Sequence, residues 1–354
     1  MIPGWKVRRE LTRFGQQLRA IPEAIWEPFA QRRHDAAFAR GFPLRDGQVA
    51  LTEKIALVLI WQPRGIAQST IDMCAHLAAQ GYAPFVLSNA ALTEDCHARL
   101  APHVWRVMQR PNFGYDFGGY RDGLLQLRAW GIQPARLVIL NDSIWFPLTE
   151  GCTLLHRMEA TPGDVIGTVL RLRGEEQFLE SYFFSIPAST LTHPAFDGFW
   201  RDLRLTSNKY KVIRRGERGF GRAMRAAGLT LTGLFGQDVF LHRIGAADDD
   251  LLRATLRHAA FVDPDLAARA RRLASDTGPD WRAQALGFVA SSLQSGLFYS
   301  SYPVAAVRLM GYPVLKKSRE PVSLVWRKAY LEAVETGALP APPVAILQEA
   351  ITRF

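Results

Sequence analysis

Cysteine is scarce in this 354-residue chain: Cys74, Cys96 and Cys152 stand far apart, with no CxxC spacing. That excludes a disulfide framework and a zinc ribbon, and it suits a reducing cytosol. No apolar run approaches the roughly 20 residues needed to span a bilayer. The N-terminus, Met1-Ile-Pro-Gly-Trp-Lys-Val-Arg-Arg, has charge but no apolar core of the signal-peptide kind, so a leader is not expected. Internal repeats are absent. Acidic residues are in deficit, 33 against 43 Lys and Arg, for a net charge of +10. The arginines are spread along the chain without a nucleic-acid-binding signature, which argues against nucleic acid as a partner. An anionic ligand, an anionic membrane surface or a plain solvated surface remains. With 48% hydrophobic and 21% charged residues the chain is a folded globular protein, long enough for one large or two ordinary domains.

What is present divides into three regions. Residues 1–50 form a basic amphipathic segment: Leu11, Phe14, Leu18, Ile21 and Ile25 recur at helical spacing among Arg8, Arg9, Arg13 and Arg19. Such a helix suits an anionic membrane and equally suits docking on the protein's own body; Pro22 and Pro28 limit its length. Residues 51–245 alternate short apolar runs with helical patterns. Strands are expected at 54–61, 81–89, 104–108, 137–140, 164–170 and 180–186. Helices are expected at 69–80 (capped by Ser69 or Thr70), 118–130 and 220–227, the last stopped by Gly228. This β-α-β order predicts a mostly parallel sheet. Residues 246–354 read as mainly helical, with a turn-rich aromatic stretch at 299–313.

The densest motif is Arg110-Pro-Asn-Phe-Gly-Tyr-Asp-Phe-Gly-Gly-Tyr-Arg-Asp-Gly-Leu124, read as a glycine-rich turn that lets backbone approach a ligand. It is followed by Leu137-Val-Ile-Leu-Asn-Asp-Ser143, an apolar strand delivering Asp142 at its C-terminal end, where open α/β sheets present binding groups. Together they read as a sugar-nucleotide site. Trp61 and Gln62 after the first strand, and Ser88 and Asn89 after the second, are candidate nucleobase contacts.

The string Asn112-Phe-Gly-Tyr-Asp-Phe-Gly-Gly-Tyr-Arg-Asp-Gly, with Asn141-Asp-Ser, Glu180-Ser-Tyr-Phe and Gly311-Tyr-Pro-Val-Leu-Lys316, resembles the rhamnan synthesis protein F family over roughly residues 52–320. The resemblance implies an α/β fold with a GT-A-like, Rossmann-type, mostly parallel sheet flanked by helices. The basic N-terminal helical segment precedes it, and the helical region 246–354 completes the active site. It implies inverting transfer of a deoxysugar, L-rhamnose from dTDP-L-rhamnose, to a lipid-linked or oligosaccharide acceptor in a growing surface polysaccharide. Another donor sugar, or a catalytically silent glycan-binding or assembly module, is the alternative. A cytoplasmic enzyme peripheral to the membrane is the expected setting.

By the same resemblance Asn112, Gly114, Asp116, Arg121 and Asn141 approach the donor. Asp142 occupies the place of an Asp-x-Asp motif, where a Mg or Mn ion is held. Asn141 and Ser143 leave only one carboxylate there, so Asp142 is either a metal ligand or a partner of ribose or sugar hydroxyls. The departing diphosphate needs positive charge; Lys316, beside Lys317 and Arg319, is a candidate clamp, or part of a solvated basic face. Glu217, ahead of a helix carrying Arg222 and Arg225 and ending at Gly228, is the candidate base for the acceptor hydroxyl. The plain alternative is a first-turn Glu favoured by the helix dipole; Asp202 and Glu180 are substitutes. Asp248-Asp-Asp250 mimics a metal motif but reads as an N-cap, and His242 reads as a packed histidine.

Overall fold

A computed structural model of the chain describes residues 26–294 and 296–352. The helical signal at Leu11, Phe14, Leu18, Ile21 and Ile25 lies outside those residues; 26–39 is helical. Twelve strands follow in chain order: β1 (Leu44–Asp46), β2 (Lys54–Ile60), β3 (Tyr82–Ser88), β4 (Arg106–Gln109), β5 (Arg136–Asn141), β6 (Ile144–Trp145), β7 (Val165–Gly167), β8 (Leu170–Arg173), β9 (Glu176–Leu179), β10 (Phe183–Pro187), β11 (Leu231–Gly233) and β12 (Leu315–Lys316). Eight of them form one sheet in the order β1-β4-β3-β2-β5-β10-β7-β11. Pairing is parallel through β4-β3-β2-β5 and for β7-β11, and antiparallel for β1 and for both neighbours of β10. The strands β8 and β9 make a separate hairpin, and β12 pairs with β6.

The chain leaves β2 for β3 on one side and returns to β5 on the other. The C-terminal ends of β2 and β5 therefore flank a topological switch point, where such sheets open a crevice.

β2 is apolar on both faces because both are covered. Ala56, Val58 and Ile60 join one core with Val138, Leu140 and the helices of the C-terminal region. Ile55, Leu57 and Leu59 join another with Leu137, Ile139 and the helix Tyr115–Ala129. This two-residue alternation sorts each strand onto two helical layers.

Several local expectations shift. The glycine-rich motif is mostly helix, starting at Tyr115, and its glycines serve packing. A Cβ at Gly119 would stand 2.2 Å from Leu59 Cδ1, and one at Gly123 2.5 Å from Leu57 Cδ1. Only Gly114, at φ +81°, uses the freedom of a turn. The helix between β2 and β3 spans Gln68–Ala79 with Ala67 as N-cap; Ser69 and Thr70 are buried inside its first turn and bond elsewhere. The strand expected from 180 starts at Phe183. His242 is exposed rather than packed, whereas Asp248 caps the helix Asp249–Arg257 by accepting from Leu251 N at 2.7 Å.

The glycines give a test with opposite signs. Alanine is worth up to about 1 kcal/mol over glycine inside a helix. A Cβ at Gly118 would lie 2.1 Å from the backbone oxygen of Phe113, which cannot move aside cheaply. Gly118→Ala is expected to destabilise by about 1–3 kcal/mol. Gly287, exposed in the helix Trp281–Ser292 with nothing within 4 Å, is expected to gain about 0.5–1 kcal/mol as alanine. Urea denaturation of the two variants checks the signs; a stabilised Gly118→Ala protein would refute the packing account.

Candidate functional site

Beyond the end of β5 lies a cleft of about 380 Å³, lined by Asp116, Asn141, Glu180, Ser181, Glu217, Lys316 and residues of the β8–β9 hairpin. Four elements build it, each for a local reason. Gly114, left-handed, turns the chain so that Asp116 lies in the first turn of its helix. The end of β5 supplies Asn141. The residues just before β10 supply Glu180 and Ser181. Glu217 closes one turn of π-helix, Ile213–Glu217, inserted between the helices Lys209–Val212 and Arg218–Ala226. Such insertions often mark functional positions. A Cβ at Gly216 would fall 2.4 Å from the Phe117 ring, so only glycine lets this turn press against the residue next to Asp116.

A hydrogen-bonded chain joins the two acids. The amide of Asn141 donates to Asp116 Oδ2 at 3.2 Å and to the Tyr120 hydroxyl at 2.9 Å. Tyr120 donates to the Ser181 carbonyl at 3.0 Å, and Ser181 donates from Oγ (2.8 Å) and N (3.3 Å) to Glu217 Oε2. Burial, with Asp142 and Glu217 nearby, pushes Asp116 up to about 6. Burial also raises Glu217, aided by Glu180 and opposed by the Ser181 hydrogen bonds. Both groups are thus eased toward holding a proton.

The opposite wall is cationic. Glu180 is buried, yet it stays below the usual carboxylate range: burial is outweighed by Lys316, Tyr299 and Arg171. It pairs with Arg171 Nη1 and Lys316 Nζ, both at 3.0 Å, and accepts from Tyr299 Oη at 2.6 Å. One carboxylate holds two cations, leaving a net positive pair facing the cleft.

The family model of rhamnan synthesis protein F matches residues 85–242. That span includes every acid of the cleft wall, Asp116, Glu180 and Glu217, together with Asn141 and Arg171. An uncharacterized protein of Sinorhizobium fredii, y4gN, is 28% identical over 339 residues, covering 94% of this chain and 88% of its own length. Among solved structures, the mannosyltransferase PcManGT of Pyrobaculum calidifontis, in complex with GDP-Man and Mn2+, aligns with 92% of this chain and 97% of its own. Its identity is 13% and its TM-score 0.29, too loose a match to carry an argument about fold or ligand.

Of the residues singled out from the sequence, Asp116, Asn141, Glu180, Glu217 and Lys316 meet in the cleft. Asp142 lies at the switch point beside it: its Oδ2 accepts from Trp61 N (3.0 Å) and Gln62 Nε2 (2.9 Å), tying the ends of β2 and β5 together. Gln62 is thus turned to Asp142 and Thr70, while the Trp61 side chain is exposed. Ser88 donates to the Ala90 carbonyl, and Asn89 donates to Asn112 at 3.0 Å while accepting from the buried Arg110; these belong to the β3–β4 edge of the crevice. Arg121 is not in the cleft. Its guanidinium reaches Asp35 (2.9 Å) and the Trp200 carbonyl (3.2 Å), because its place on the helix faces the segment 26–39.

Arg171, Arg173, Phe178 and Arg218 of the cleft wall were not foreseen. The alternating runs Leu170-Arg-Leu-Arg and Glu176-Gln-Phe-Leu about Gly174 (φ +61°) carry a hairpin signal, but nothing local says that the hairpin covers a cleft. Among the described residues no group of three His, Cys, Asp or Glu is arranged to hold a metal ion.

The raised Asp116 carries a stability consequence. Its folded value of about 6 stands above the unfolded 3.8, so folding binds a proton in that window and stability falls as pH rises through it. Asp116→Asn keeps the acceptor for Asn141 and removes the charge. The variant is expected to gain on the order of 2 kcal/mol over the parent at pH 7.5 and nothing near pH 3.5. Thermal unfolding at both pH values measures this; an equal gain at both would show that charge is not the cause.

Proposed function

We propose that this chain is a glycosyltransferase that transfers a sugar from a nucleotide donor bound across the switch point and the cleft. The observation that carries the reading is the pairing, in one cleft, of two acids whose proton affinity burial raises, Asp116 and Glu217, with the cation pair Arg171–Lys316. The match to the rhamnan synthesis protein F family model supports it. On this reading the donor is dTDP-L-rhamnose and the acceptor a lipid-linked or oligosaccharide glycan of a growing surface polysaccharide.

The chemistry follows from charge. Glu217 takes the proton of the acceptor hydroxyl as that oxygen bonds to the anomeric carbon. Its raised affinity for a proton brings it nearer the working pH, which favours a general base. On the other side of the anomeric carbon the bond to the diphosphate oxygen breaks, and the electron pair leaves with the nucleotide. Arg171 and Lys316 receive that charge. They are already held by Glu180, so little reorganisation opposes them. Displacement from the far face inverts the anomeric centre. Asp142, Trp61 and Gln62 form the adjoining rim, where ribose hydroxyls and base would lie, with Ser88, Asn89, Asn112 and Gly114 further along it.

A divalent cation fits this donor set poorly. Of the two strand-end side chains, the single acid, Asp142, already spends one oxygen on Trp61 and Gln62, and the amide oxygen of Asn141 accepts from Ser143. A hard cation asks for more oxygen ligands than that leaves. Transfer is expected to survive EDTA with most of its rate. Complete loss restored by Mg2+ or Mn2+ would overturn the assignment of the leaving-group charge to Arg171 and Lys316.

Release of nucleoside diphosphate from a panel of sugar nucleotides, with a lipid-linked or oligosaccharide acceptor, tests the function itself; a module that only binds glycan would release none. In that assay Glu217→Gln is expected to lower turnover by about 10² to 10⁴-fold. Donor affinity by calorimetry should change little, since a base acts only in the transfer step. Normal turnover would place the base elsewhere.

A further inference from the structure

One stretch of this chain concentrates positive charge beyond anything the cleft uses. Residues 209–226 contain seven Lys and Arg and a single acid, Glu217, which turns inward to Ser181. The stretch is helical throughout, and Val212, Gly216, Phe220 and Met224 recur every four residues as its buried stripe. The cations therefore fall on the outside. Lys211 and Arg215 are partly spent on Glu27, and Arg218 and Arg222 on Glu176 at 3.7 and 3.4 Å. Arg214 and Arg225 are exposed and, among the described residues, have no carboxylate within ion-pair distance.

The patch extends beyond one helix. Arg204, Arg214, Arg215 and Arg222 line a single shallow depression beside Phe199, whose one acid, Asp202, is paired with Arg201 at 3.0 Å. Arg218, one turn from Arg222, lines the cleft. Two large side chains stand out at its borders instead of packing: Tyr210 on the first turn is 69% exposed, and Leu172 on the β8–β9 hairpin is 68% exposed. A pocket for a small anion would be enclosed and polar. An open cationic face with projecting aromatic and aliphatic side chains suits lipid headgroups, with Tyr210 and Leu172 at the level of the acyl boundary.

We propose that the outer face of residues 209–226, with Arg204 and Leu172 of β8, is a docking surface for an anionic membrane. It adjoins the mouth of the cleft, so a bound molecule would open its cleft at the bilayer. The inference does not need sugar transfer to be correct, and its test needs no turnover.

The test is sedimentation of the full chain with sucrose-loaded vesicles of phosphatidylglycerol and phosphatidylcholine, against vesicles of phosphatidylcholine alone. Binding is expected only to the anionic vesicles and is expected to weaken with added salt. Each basic residue at such a surface is worth roughly fivefold in partitioning, so the triple variant Arg214→Gln, Arg222→Gln, Arg225→Gln should bind roughly a hundredfold more weakly. None of the three lines the cleft. The matching triple change to lysine keeps the charge and should restore binding, which separates charge loss from misfolding. Equal binding by the glutamine variant and the parent would place any membrane contact elsewhere in the chain and overturn the proposal. Binding to soluble heparin without binding to anionic vesicles would also overturn it, in favour of a soluble polyanion.

Discussion

Everything at the cleft depends on two acids being held where their charges repel. Gly216 makes this geometry available, because its missing side chain lets the π-helical turn close on Phe117. Asp116 and Glu217 then share a poorly hydrated space and both resist ionisation. Left alone the two would spread apart. The hydrogen-bonded chain through Asn141, Tyr120 and Ser181 holds them, and each link in it is anchored on a different element of the sheet or its helices. Such a site costs stability that the two apolar layers must supply elsewhere.

Glu180 organises the other wall. A buried carboxylate is expensive unless it is paired, and this one is paired twice and hydrogen-bonded once. Behind it, Tyr299 and Tyr312 stack with centroids 4.8 Å apart, and the hydroxyls of Tyr182 and Tyr312 meet. The ring cluster belongs to the core shared by the sheet and the C-terminal helices. The late aromatic segment thereby reaches the cleft through Glu180 and through Lys316 on β12.

The helical segment 26–39 fastens both acid-bearing elements from outside. Glu27 accepts from Thr206, Lys211 and Arg215; burial would raise it, but these partners bring it down to about 2. Gln31 accepts from Leu205 N, four residues on. His34 meets Asp122, itself bonded to the buried Arg110, and Asp35 meets Arg121. One face of one helix thus grips the stretch leading to Glu217 and the helix that begins at Asp116. Removing one partner from such a buried set strands the others, which is why these pairs hold position even if their net contribution to stability is small.

The α/β alternation, the apolar central strands and the strand-end Asp142 were legible because they are local: a two-residue or 3.6-residue period shows in any short window. The motif around Asn112 to Gly123 was legible as a family string, and Asp116 and Glu217 could be named from it and from the helix that Gly228 ends. Other features needed the folded chain. Arg121 sits in the densest motif yet faces away, since the turn of its helix, rather than its neighbours in sequence, sets its direction. Arg171 and Lys316 are far apart along the chain and become a pair only through Glu180. The glycines of the motif look like a ligand-hugging turn until Leu57 and Leu59 are seen against them. Sequence by itself determined the main strands and helices of the α/β region and which side chains are ionisable. Only the tertiary structure decided which charges face one another, because pairing, burial and pKa depend on distances that long-range packing sets.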